Sequence, residues 1–224
     1  MTRLQELLEE FQSVVGGKVP LLDVIFPPLL FTVLHGPLSL NLALVISLLS
    51  SLALVGYRLL KEESFAYASG GLAAILLAAG LAWLTQSASG YSLPGILTSG
   101  LTTLLCLVSL VVKKPFAAWS SHLTRNWPLA WYWHERIRPA YAEVTLGWMV
   151  FFGAQFAIQG YYYLQGRTAS LGWVQILTGW PALVLILAAS YMYGLRRLRD
   201  LNGPSVDEFE TDSPPPWKGQ QRGF

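Results

Sequence analysis

The 224-residue chain is 53% hydrophobic and 12% charged, with a net charge of +2. Soluble domains usually carry about 25% charged residues, so this composition excludes an ordinary water-facing surface. The charges sit in short clusters between apolar runs of roughly 17–25 residues, the length a helix needs to cross a hydrocarbon core about 30 Å thick.

The opening residues, Met1 to Gln12, show no basic region leading into a short apolar core and a cleavage site, so the first apolar segment is expected to be retained. Leu4, Leu7, Leu8 and Phe11 recur at helical spacing opposite Glu6, Glu9 and Glu10, which predicts a short amphipathic helix within residues 1–17, closed by Gly16-Gly17. Its acidic face suits packing against its own bundle or a partner better than a membrane surface.

The first expected span, Pro20 to His35, is short and interrupted by Pro27-Pro28, which remove donors and kink a helix. After the Gly36-Pro37 turn, Leu38 to Leu60 forms the second span. Ala68 to Thr85 forms the third, with a small-residue stripe at Ala74, Ala78 and Ala82. Pro94 to Val112 is the fourth span and holds the lone cysteine, Cys106, which reads as a small buried hydrophobe. A long connection from Phe116 to Glu143 follows, rich in Trp, Arg and His. Val144 to Leu164 and Leu171 to Leu195 are the fifth and sixth spans. Beyond Asn202 the chain is acidic and proline-rich and is expected to be a disordered tail, residues 202–224.

This organisation predicts an all-α polytopic membrane protein, with six transmembrane helices in three hairpins across residues 18–201. All Lys and Arg except Arg167 then fall on one side, and no acidic residue falls on the other, which places both termini in the cytoplasm. A five-span arrangement with a re-entrant first segment is the alternative. A short likeness between Leu52–Ser69 and Leu105–Ser120 (L-x-L-V, a lysine, then F-A-x-x-S) fits hairpin units.

Polar groups at membrane depth are costly and tend to be functional. Asp23 is the single carboxylate inside an expected span, near a helix N-terminus where the dipole favours an anion. Gln155 and Gln159 share a helix face at i, i+4 spacing. With Asn41 and Asp23 they form a candidate polar cavity; interhelical hydrogen bonding is the plainer reading of the same amides. The stretch around Trp131, Trp133, His134, Arg136 and Arg138 is a candidate partner or lipid-headgroup surface, against the plainer reading of a basic aromatic-belt connection. His134-Glu135 is not the start of an H-E-x-x-H zinc site, because position 138 is Arg. No nucleophile elbow, phosphate loop or metal-ligand spacing occurs in the sequence, so neither an enzyme nor a cofactor is expected.

The proline-containing first span after Gly16-Gly17, the Leu107-Val108-Ser109 to Lys113-Lys114-Pro115 segment, and Leu146-Gly147-Trp148-Met149-Val150-Phe151-Phe152 resemble the intracellular septation protein A family of bacterial inner-membrane proteins. The Thr178-Gly179-Trp180-Pro181 stretch more closely resembles a related, actinobacterial-type family of uncharacterised membrane proteins. The likeness covers Gly16 to about Arg199. It implies a bacterial cytoplasmic-membrane location and a non-enzymatic envelope-maintenance or septation role through division or envelope proteins; it implies no catalytic residue. The alternative function is a small solute transporter or lipid-handling protein. Expected partners are the bilayer, envelope proteins and a second copy of the chain, with no nucleic acid.

Overall fold

The computed structural model describes residues 21–35, 37–60 and 65–224. The expected amphipathic helix at residues 1–17 and the charged cluster 61–64 lie outside the described residues. The described chain is all-helical, with no strand: α1 Leu21–Leu34, α2 Leu40–Leu60, α3 Phe65–Leu84, a 3-10 turn Ala88–Ser92, α4 Leu93–Val111, α5 Phe116–Arg125, α6 Leu129–Tyr132, α7 Arg138–Leu164, α8 Thr168–Thr178, α9 Trp180–Asp200 and α10 Val206–Glu210.

Among the described residues, four stretches are long and apolar enough to cross a membrane: Leu40–Tyr57, Ala88–Val111, Arg138–Leu164 and Thr168–Asp200. α1, with 14 residues, rises only about 21 Å. α1 also runs through Pro27-Pro28 as one helix. α3, α4 and α7 end alike: Gln86, Lys113 and Gly166 take left-handed conformations at φ 50°, 58° and 64°. The paired bonds Ser87 N–H to Ala82 O, Lys114 N–H to Ser109 O and Arg167 N–H to Tyr162 O close the last turns in Schellman fashion.

The sixth expected span does not run as one helix. α8 stops at Thr178, Gly179 lies between, and α9 restarts at Trp180. Pro181 explains the break, because it has no N–H to offer the carbonyl of Leu177.

The chain divides into two units. The small-residue unit comprises residues 18–99 and 154–183 among those described. Its core is Phe31, Ala43, Leu44, Ala78, Ala82, Ala88 and Tyr91, so two members of the expected alanine stripe are interior. α2 turns Ala43, Ser47 and Ser51 inward at i, i+4 spacing, and small side chains on α2 and α3 let their backbones approach closely.

The aromatic unit comprises residues 100–153 and 184–224 among those described. Ala117, Ala118, Trp131, Tyr132, Ile137, Ala140, Tyr141, Val144, Leu198 and Val206 form its core. The connection expected between the fourth and fifth spans is therefore folded. Ala117 N–H donates to Thr145 Oγ1 at 3.1 Å and Phe116 N–H to Ser109 Oγ at 3.0 Å. These bonds occupy first-turn donors of α5 that its Pro115 N-cap cannot serve.

Residues 202–224, expected as a disordered tail, are ordered in the structure. Ser205 and Glu208 form a capping box on α10, and the Glu208 carboxylate also accepts Lys218 N–H at 2.7 Å and Gly219 N–H at 3.2 Å. Phe224 stacks on Tyr141 with ring centroids 4.2 Å apart, and a Cβ at Gly194 would collide with its ring. Low overall hydrophobicity misled the sequence reading, because Val206, Phe209, Trp217 and Phe224 are few but anchor the segment.

Candidate functional site

The small-residue unit holds a partly open cavity of about 310 Å³ lined by α1, the 3-10 turn, the ends of α4 and α7, and the α8–α9 break. Its lining combines Phe31, Tyr91, Ile176 and Trp180 with the amides of Gln155, Gln159 and Gln175. Among the described residues, none that lines it is acidic, lysine or arginine. Apolar walls with a few convergent polar groups are the usual makeup of small-molecule sites.

The helix break builds the polar wall. Gln155 Nε2 donates to the Thr178 carbonyl at 2.9 Å, where the helix is interrupted. Gln159, only 1% exposed, accepts through Oε1 from Gln175 Nε2 at 3.3 Å, and Gln175 also donates to the Ser92 carbonyl at 2.8 Å. Gly95 makes the approach of Gln175 possible, since a Cβ there would come within 2.8 Å of its Nε2. Backbone that leaves the helical ladder at membrane depth is tolerated where it lines a cavity or is buried in protein, and Gly179 lines this one.

The amide network leaves acceptor capacity unspent. Among the described residues no hydrogen bond reaches Gln155 Oε1 or Gln175 Oε1. His35 borders the same space, and its Nδ1 is buried without a hydrogen-bond partner. Phe31 stacks between His35 and Tyr91, at centroid distances of 5.7 and 4.1 Å, and Tyr91 is held by Ser47 at 3.3 Å.

Of the residues proposed from sequence for a polar cavity, Gln155 and Gln159 line it. Asn41 is exposed on α2 and takes no part. Asp23 lies in the first turn of α1, and its side chain is outside the described residues. Gln175 lines the cavity as well, and its partnership with Gln159 depends on tertiary placement. His35, Thr168 and Tyr91 carry no sequence signal beyond being polar near span ends.

The candidate surface around residues 131–138 is only partly a surface. Trp131 is fully buried, with Nε1–H donating to the Pro204 carbonyl at 2.9 Å, so its assignment to a docking face is corrected. The reason is that the tail supplies both a cover and an acceptor. Trp133 and His134 are half-buried, His134 lying edge-on to Phe209 and Trp217. Arg136 is exposed, 5.6 Å over Trp217, and Arg138 opens α7 half-buried. Beneath them Tyr132 donates to Ser121 Oγ at 3.1 Å. Burial pushes the Tyr132 phenol above its usual range, partly offset by that bond and by the Arg125 charge. No group of three or more His, Cys, Asp or Glu residues able to hold a metal occurs among the described residues.

The chain belongs to the family described as Protein of unknown function (DUF3159), whose model matches residues 15–200. That match supports the uncharacterised-family side of the sequence likeness and gives nothing specific to the septation protein A family. No curated protein and no solved structure matches the chain.

Proposed function

We propose that this chain is a non-enzymatic, six-span protein of the bacterial cytoplasmic membrane, with both termini inside, that passes or holds a small uncharged, hydrogen-bonding solute. The observation that carries this reading is the cavity at the α8–α9 break, where three glutamines converge and two amide oxygens have no donor among the described residues. Unspent acceptors favour a solute rich in O–H or N–H donors, such as a small polyol or amide. Among the described residues no acidic, lysine or arginine side chain lines the cavity, which favours an uncharged solute over an ion, whose burial without a partner is costly. The one-sided distribution of Lys and Arg supports the orientation, and α1 and α3 supply the two spans beyond the four long stretches.

The test is osmotic swelling of proteoliposomes holding the full chain, with glycerol, urea, acetate or methylammonium as the permeant. Faster swelling with glycerol or urea than in protein-free vesicles is expected. Gln159→Leu with Gln175→Leu should return it to baseline while the protein stays folded. Rates equal to empty vesicles for both uncharged permeants would remove the transport reading.

A second reading keeps the envelope-maintenance or septation role through protein partners. Its support is the ordered module of residues 116–138 and 202–224, which leaves Glu135 and Arg136 exposed.

A further inference from the structure

α5 has its large and small apolar residues on the opposite sides from those expected in water. Its buried face is Ala117, Ala118 and Ser121, packed on the aromatic core. Its other face carries Phe116, Trp119 and Leu123 at i, i+3, i+7 spacing, with Leu123 80% and Trp119 38% exposed. A water-facing helix would bury Leu and Trp and expose Ala and Ser.

We propose that α5 lies in the headgroup layer of the bilayer that holds α4, with Trp119 and Leu123 inserted among the acyl chains and Lys113 and Lys114 on the phosphates of anionic lipid. Continuity supports this occupant. Leu104, Val108 and Val111 form an exposed apolar stripe on α4, a stretch long enough to cross a membrane. Val112, 55% exposed, carries that stripe to the Lys113-Lys114-Pro115 turn from which α5 starts. Charge complementarity supports it as well. Both lysines are exposed at the end of a span, where basic residues meet the negative inner leaflet. The indole of Trp119, whose ring lies 5.9 Å from that of the half-buried Trp133, matches the aromatic belt at such a boundary. This assignment rests on the membrane reading above and is independent of the cavity.

The experiment uses the full chain in nanodiscs of phosphatidylethanolamine and phosphatidylglycerol. A nitroxide is placed at Leu123→Cys in a Cys106→Ser background, with Glu210→Cys as the aqueous comparison. The Leu123 label is expected to collide more with oxygen than with a water-soluble nickel chelate, and the Glu210 label the reverse. Equal nickel access at both sites would overturn insertion. Spin–spin broadening between copies would overturn it too, by assigning the face to a second chain. Lys113→Gln with Lys114→Gln should weaken retention of phosphatidylglycerol on the order of tenfold at low salt, and Lys113→Arg with Lys114→Arg should restore it. Unchanged retention in the glutamine variant, with insertion intact, would remove the headgroup contact.

Discussion

Among the described residues, each unit contains one buried side-chain polar atom without a hydrogen-bond partner, and the surroundings of the two differ. In the aromatic unit it is the Tyr141 hydroxyl, on a side chain with no exposed surface in a fully packed core. In the small-residue unit it is His35 Nδ1, beside a cavity of about 310 Å³ that Gln155 and Gln175 also line. An unpaired group in a packed core is a local cost; several around an open space describe the hydrogen bonds a ligand would make. In the sequence the aromatic run is conspicuous and three scattered glutamines are not.

The largest expected effect comes from the aromatic unit. Trp131→Ala deletes a fully buried indole and strands the Pro204 carbonyl that it serves. Large-to-small changes of this kind cost about 3–5 kcal/mol. Denaturant unfolding of the chain in nanodiscs should show a loss of that size, together with faster proteolysis within residues 202–224. A loss below about 1 kcal/mol would mean that the tail and indole are not packed together, and the contrast between the units would weaken.

A smaller effect should follow from acid. The Glu208 carboxylate accepts backbone N–H groups of Ser205, Lys218 and Gly219, at 2.9, 2.7 and 3.2 Å. These bonds favour the charged form and lower its pKa from 4.5 to about 2. A depressed carboxyl pKa makes docking strongest above the ordinary value of 4.5 and weakens it as pH falls toward about 2. A carbon-13 titration of the labelled glutamate side chains should find one group titrating near 2. If every glutamate titrates near its ordinary value, the carboxylate does not hold the tail.

Much of the helical architecture was legible from apolar run length alone: α2, α4 and the body of α7 lie where the runs place them. Three features were not. The α8–α9 break is encoded by Gly179 and Pro181, but proline inside an apolar run is tolerated in membranes, so its presence did not decide between a kink and an interruption. The helical connection α5–α6 was hidden because its packing partner, the tail, lies about seventy residues further along. The tail was misread because disorder is inferred from average hydrophobicity, whereas four apolar side chains and one multiply bonded carboxylate hold it. For the cavity, the i, i+4 pair Gln155 and Gln159 was readable from helical geometry. Gln175 and His35 join it only through tertiary placement, and Asn41 shows that an amide in a span does not by itself mark a site.

The smallest effect on stability is expected from Arg136→Gln with Arg138→Gln, and it bears most directly on which unit carries function. Arg136 is exposed and donates one 3.3 Å bond to the Asn202 carbonyl, besides lying 5.6 Å over Trp217. Exposed cation–π contacts contribute about 0.5–1 kcal/mol. The double variant should therefore lower Tm by only roughly 3 °C and leave the tail docked through Trp131 and Glu208. Insertion should also hold, since Lys113, Lys114 and Arg125 keep the region basic. Co-purification from native membranes, with expression level measured separately, then separates the two readings. If the variant retains its associated proteins and complements a deletion strain, the aromatic unit is structural support and the cavity remains the functional region. If association falls while Tm holds, the guanidinium groups bind a partner, and the unit with the completed core carries a function that its internal hydrogen bonds do not reveal.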